Sequence, residues 1–187
     1  MSLLTDVVTV SRRNLIAVPV LLTGAAVSVA LGMAGIHYWP GTQPLPTWGF
    51  SAPQIFKAYL SSAVGVLIIG QLLTAVWIYR FHAPKPVRIF HRLSGALAFL
   101  LSLPVAFYCL YSFGFQVGQG ATSTRVMAHS IAGVVFYGAF ASKMLTLRLK
   151  RTPGWLLPIL GATVFTSFVL AWTLAAFWWF RTVGFAR

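Results

Sequence analysis

The sequence predicts an all-α integral membrane bundle of five transmembrane helices, with the N-terminus cytoplasmic and the C-terminus external. Three observations predict it. Of the 187 residues, 58% are hydrophobic and only 8% are charged, where a soluble domain carries roughly a quarter charged residues. Apolar runs long enough to cross a bilayer as a helix, about 20 residues each, recur along the whole chain. Lys and Arg cluster between alternate runs, the pattern that orients membrane proteins with their basic loops in the cytoplasm.

The net charge is +13 and Asp6 is the only acid. In a soluble chain that balance would point to nucleic acid. Here the basic residues flank apolar runs, where they set topology and meet anionic lipid. The expected partner is therefore the lipid bilayer, and nucleic acid is excluded. Cys109 is the only cysteine. It allows no intrachain disulfide and no Cys-rich metal site, so a small buried core residue is expected there.

The elements follow in order. Residues 1–13 form a short head ending in Ser11-Arg12-Arg13. The first span covers residues 15–36, too long for a signal-peptide core and without a convincing cleavage site. Ser11-Arg12-Arg13-Asn14-Leu15-Ile16 resembles a twin-arginine export motif. Because four further spans follow, it reads instead as a basic flank that keeps the N-terminus in the cytoplasm. Residues 37–53 contain no Lys, Arg, Asp or Glu, but hold Tyr38, Trp39, Trp48 and the prolines at 40, 44, 46 and 53. Prolines interrupt regular helix and aromatics suit the headgroup layer, which makes this an external loop.

The second span covers residues 56–79. The segment from Arg80 to Arg92 carries Arg80, Lys85, Arg88 and Arg92, and Pro84 with Pro86 makes it a turn between helices. The third span covers residues 91–113, with a kink expected at Pro104. Residues 115–124 form a short uncharged loop. The fourth span covers residues 126–147, and a second basic segment with Arg148, Lys150 and Arg151 follows it. The fifth span covers residues 156–180 and ends in Trp178-Trp179-Phe180-Arg181, an aromatic belt with a basic stop. Only Lys57, Arg125, Arg181 and Arg187 fall on the opposite side. All 187 residues make a single transmembrane domain. The short connection between spans three and four predicts that they pack as antiparallel neighbours.

Two helix starts carry the chemistry. One reads Arg88-Ile89-Phe90-His91-Arg92-Leu93-Ser94-Gly95, the other Arg125-Val126-Met127-Ala128-His129-Ser130-Ile131-Ala132-Gly133. Residues four apart share a helix face, so each His has a bare glycine patch one turn deeper on its own face. A flat macrocycle fits such a patch, with His91 and His129 on the iron. Arg88, Arg92 and Arg125 would pair with its propionates, and Gly95 and Gly133 would admit the ring. The plainer reading is that His and Arg mark the membrane boundary and the glycines pack helix against helix.

The remaining histidines extend the pattern. His82 and His91 fall at the cytoplasmic end, His37 and His129 at the external end. A b-type cytochrome takes one imidazole from each side of each iron, so one or two haem b groups are expected. His37 and His82 are candidate partners, or else solvated interface residues. His91 and His129 cannot share an iron, because about 25 Å of helix separates them at the usual rise. Tyr108 is a further candidate oxygen ligand. Ser94 and Ser130 are near enough in sequence to hydrogen bond the outer ring nitrogens.

Several functions are excluded. There is no phosphate-binding glycine loop, and with no Glu there is no His-Glu metal motif. A proton relay normally uses buried carboxylates, and Asp6 lies outside the spans. Lys143 can snorkel to the cytoplasmic face. Pro104 and Pro158 hint only weakly at the broken helices of a small transporter.

These motifs, with the run Phe136-Tyr137-Gly138-Ala139-Phe140-Ala141-Ser142-Lys143-Met144-Leu145, resemble an uncharacterised actinobacterial family of five-span membrane proteins over nearly the whole chain. More distantly, His91-Arg92-Leu93-Ser94-Gly95 is similar to transmembrane b-type cytochromes of the ascorbate-dependent and ferric-reductase-like kinds, over spans two to four. That resemblance implies a haem-bearing helical bundle passing electrons across the membrane. The ferric-reductase pattern has two histidines on one helix about four turns apart. Here Pro104 and Val105 stand at that spacing from His91, and span four has no second His.

The expected function is thus haem-dependent transmembrane electron transfer, as a relay rather than a stand-alone catalyst. It would run from quinol or a cytoplasmic donor to an external acceptor, in the inner membrane of a bacterial cell. The alternative is a cofactor-free accessory subunit packed against other subunits of a respiratory or photosynthetic complex.

Overall fold

The computed structural model describes residues 2–37, 45–113, 115 and 124–185, with backbone alone for residues 2–13. Helix α1 spans Ser2–His37, α2 Pro53–Phe81, α3 Lys85–Phe107, α4 Thr124–Arg148 and α5 Leu156–Trp172. A π-helical stretch, Tyr108–Phe113, continues α3. Another, Thr173–Phe177, continues α5 into the short α6, Trp178–Thr182. The described residues form no strand. Five helices are long and apolar enough to cross a membrane: Asn14–His37, Pro53–Phe81, Lys85–Phe113, Thr124–Arg148 and Leu156–Thr182.

Two boundaries differ from expectation. The N-terminal head continues the first helix back to Ser2. The third helix begins at Lys85, leaving only His82, Ala83 and Pro84 as the turn. Pro86 sits in the first helical turn, where its missing N–H has no intrahelical partner to lose. His82 caps α2 in the left-handed region, at φ 50°, a conformation that ends a helix. His91 therefore lies in the second turn of α3. Residues 38–44 and 116–123 of the two expected loops lie outside the described residues.

Pro104 does not end α3. It cannot donate to the preceding turn, and the helix widens to π geometry from Tyr108. The Tyr108 N–H donates to the carbonyls of Pro104 and Val105.

The seam between α1 and α4 is built from small residues. Gly24 and Ser28 face Gly138 and Ser142, each pair four apart. Ser28 Oγ donates to Val134 O at 2.9 Å, and Ser142 Oγ to Val20 O at 2.8 Å. A Cβ on Gly24 would lie 2.6 Å from the Gly138 carbonyl oxygen. In lipid no hydrophobic force drives helix on helix. Close backbone approach and cross-helix hydrogen bonds do that work instead. Two apolar clusters complete the packing. One joins Ala17 and Val20 to Leu156 and Leu160, the other Val64 and Ile68 to Ala98 and Phe136.

The backbones pack chiefly as α4 with α5, α1 with α4, and α2 with α3. The third and fourth spans touch directly, but their backbones stay further apart than those of these three pairs. They meet through side chains: Phe99 stacks on Phe140 at 4.4 Å, and the Tyr137 hydroxyl donates to Ser102 O at 2.7 Å. Phe99, Phe140 and Tyr137 are too bulky for the two backbones to close on each other as Gly24 and Gly138 do. A cavity opens in the space between them.

Candidate functional site

The cavity has a volume of about 350 Å³ and lies chiefly among α2, α3, α4 and α5, with Leu31 of α1 also on its wall. Both π-helical stretches supply wall residues, Cys109 and Phe113 from one and Ala175 and Ala176 from the other. π turns re-aim side chains and recur at functional sites. The wall is mainly apolar and aromatic, including Phe136, Phe168 and Trp172. A few polar groups converge on it.

His129 has a contact on each ring nitrogen. Its Nδ1 lies 2.9 Å from the Ala171 carbonyl oxygen. A carbonyl only accepts, so Nδ1 carries a proton, and in the neutral imidazole Nε2 is then the acceptor. Nε2 stands 3.7 Å from Cys109 Sγ. Lys57 Nζ donates to the same sulfur at 3.5 Å and lies 4.8 Å from the centre of the Phe113 ring. The site thus holds an imidazole, a thiol and an ammonium in one chain of contacts.

Arg125, one turn before His129, lies over the Trp178 ring at 3.7 Å and donates through Nη1 to the Leu174 carbonyl. The neighbouring Trp179 also lines the cavity. Its Nε1 is buried and has no hydrogen-bond partner among the described residues. A buried N–H without an acceptor is costly. Gly133, one turn beyond His129, borders the cavity as well, and a Cβ there would meet nothing within 4 Å.

The His91 motif is built differently. Gln71 of α2 donates through Nε2 to His91 O and to Ser94 Oγ, both at 2.7 Å. Its side chain fills the patch beside Gly95, where a Cβ would come within 2.8 Å of Oε1. Thr74 Oγ1 lies 2.7 Å from His91 Nδ1 and donates to Gly70 O at 2.7 Å. The hydroxyl has one proton, so Nδ1–H donates to it. Ser94 spends its own proton on Phe90 O. Gly95 therefore makes room for a glutamine clamp between α2 and α3. Arg88 and Arg92 are exposed.

His37 and His82 are both exposed, at the ends of α1 and α2. Cys109 abuts His129, which sets the two at one level. His91 lies 18 residues earlier on the same span, roughly 27 Å away at the usual helical rise. The two Arg-His-Gly motifs are thus separate sites. Among the described residues no three of His, Cys, Asp and Glu gather as a metal would require. Tyr108 is buried and occupied: it accepts from Trp48 Nε1 at 3.1 Å and donates to the Pro46 carbonyl.

Lys57, Cys109 and Trp179 are the wall residues that sequence reasoning missed. Cys109 is only partly buried and belongs to the cavity wall rather than to a packed core. The signal for it was its distance from His91, which brings residue 109 to the depth of His129.

The fold and the site define a class: a small all-helical protein with five helices suited to crossing a membrane and a cavity between them lined by aromatic and basic groups. The chain belongs to a family of unknown function, DUF6529, whose family model matches residues 16–187. Comparison with curated proteins and with solved structures gave no match.

Proposed function

We propose that this protein is an electron-transfer component of a bacterial inner membrane that holds a flat, lipid-soluble redox group in the cavity beside His129. One observation carries the reading. The Ala171 carbonyl fixes the His129 tautomer, and the acceptor nitrogen that results lies in a cavity that Gly133 leaves open. Haem b and a quinone both belong to this class of group.

Haem b is the group that the motif resemblance implies, and the residues meet its needs unevenly. An imidazole that donates its other N–H to a backbone carbonyl is the usual state of an iron ligand. Gly133 leaves one face clear, and Arg125 and Lys57 supply positive charge for propionates. The group facing Nε2 is a thiol rather than a second imidazole. At His91 the glutamine clamp takes the space a macrocycle would need. A haem, were it the group bound, would sit singly on His129, with His91, His37 and His82 outside the site. Bound there, a haem would supply a one-electron centre.

The test is the visible spectrum of protein purified from a haem-replete host, oxidised and then reduced with dithionite, beside an organic extract of the same sample. A Soret band lost in His129→Ala and kept in His91→Ala supports haem on His129. A colourless protein whose extract holds no redox-active lipid overturns the redox reading. The accessory-subunit role then takes its place, with Gly133 and His129 serving packing alone.

A further inference from the structure

We infer that the cavity beside His129 is a binding site for the head group of a quinone. The inference rests on the redox reading above and selects one of its two groups.

The size of the cavity favours a small ring system. Ligand sites run from roughly 300 to 1,000 Å³, and about 350 Å³ stands near the lower limit. One or two fused rings fit that space better than a macrocycle with two propionate arms. The position favours a ligand that arrives through lipid, because all five membrane-crossing helices supply wall residues.

The polar groups match a quinone in both its states. A quinone presents two carbonyl oxygens, which only accept. The wall offers a donor in the ammonium of Lys57. A quinol presents hydroxyls, which donate, and His129 Nε2 is an acceptor by virtue of the Ala171 bond. The aromatic rings of Phe136 and Phe168 supply faces for a flat ring. No carboxylate lines the cavity, so nothing there favours a cationic ligand over a neutral one.

Two substitutions separate site binding from partition into detergent. Lys57→Met keeps a flexible unbranched side chain on the wall and removes the ammonium. Gly133→Leu puts a side chain into open space, blocking the cavity where a Cβ meets no neighbour. The probe is 2,3-dimethyl-1,4-naphthoquinone, which has no open ring position for a thiol to attack, titrated into detergent-purified protein, with quenching of tryptophan fluorescence as the readout. Folding of each variant is checked by helical circular dichroism and elution volume.

Saturable quenching is expected in the wild type. Affinity should fall about tenfold or more in Lys57→Met, the usual worth of a hydrogen bond from a charged group, and quenching should become non-saturable in Gly133→Leu. Quenching that is non-saturable in the wild type, or unchanged in folded Gly133→Leu, overturns the inference. If that negative result comes with a Soret band dependent on His129, the redox reading stands and only the quinone falls. If it comes with a colourless protein and an extract free of redox lipid, both fall.

Discussion

Cys109 Sγ lies 3.7 Å from His129 Nε2, and the two belong to different helices that share little backbone contact. The π turn at Tyr108–Phe113 brings the thiol into the cavity wall. Lys57, from a third helix, donates to the same sulfur. This junction of three helices is where the chemistry of the chain gathers.

The position of Cys109 makes it a reporter of the cavity. It is the only cysteine, so a maleimide reads it without background. A ligand seated against His129 would cover the sulfur. N-Ethylmaleimide labelling, followed by intact-mass spectrometry, should slow at least about threefold when 2,3-dimethyl-1,4-naphthoquinone is present, a quinone with no open ring position for the thiol to attack. The same labelling in Gly133→Leu should show no dependence on the quinone. Equal protection in both proteins would mean that the quinone acts elsewhere.

The seam of α1 and α4 predicts a sharp asymmetry among glycines. A Cβ on Gly138 would collide with the Gly24 carbonyl and Ser28 Oγ, whereas one on Gly161 meets nothing within 4 Å. Gly138→Val should cost at least about 3 kcal/mol, the upper range for overpacking, and leave little folded protein. Gly161→Ala should be neutral or slightly stabilising, since Ala favours helix by about 1 kcal/mol over Gly. Yield and thermal unfolding in detergent, followed by size exclusion, decide it.

Gln71 is expected to act as a clamp and to have no part in the cavity. It joins α2 to α3 through His91 O and Ser94 Oγ. Cross-helix hydrogen bonds within membranes are worth about 0.6 kcal/mol each on average. Gln71→Leu should therefore lower stability by about 1 kcal/mol and leave any ligand at His129 in place. A loss of that ligand with the stability unchanged would assign Gln71 a different role.

Orientation is predicted by the basic segments at residues 80–92 and 148–151. In a Cys109→Ala background, a membrane-impermeant maleimide added to intact cells should label Phe185→Cys and spare Lys85→Cys. Both positions are exposed at helix ends. Labelling of Lys85→Cys alone would place the N-terminus outside.

The sequence by itself determined the five spans, because length and hydropathy are local properties and a bilayer reads them one helix at a time. It also marked His129, Arg125 and Gly133, since helical spacing alone sets them on successive turns of one face. It could not tell the two Arg-His-Gly motifs apart. On α3 the glycine patch is filled by Gln71, and on α4 it stays open. That difference depends on which helix lies opposite, which no spacing within one helix encodes. The same holds for the wall of the site. Lys57, Cys109 and Trp179 lie on three different helices, and the packing that leaves α3 and α4 apart is what brings them to one cavity. Small residues at Gly24 and Gly138 draw α4 to α1, and the rings of Phe99, Tyr137 and Phe140 fill the contact with α3. Tertiary structure chose among motifs that were equal in the sequence, because side-chain volume across an interface decides where helices close and where a cavity remains.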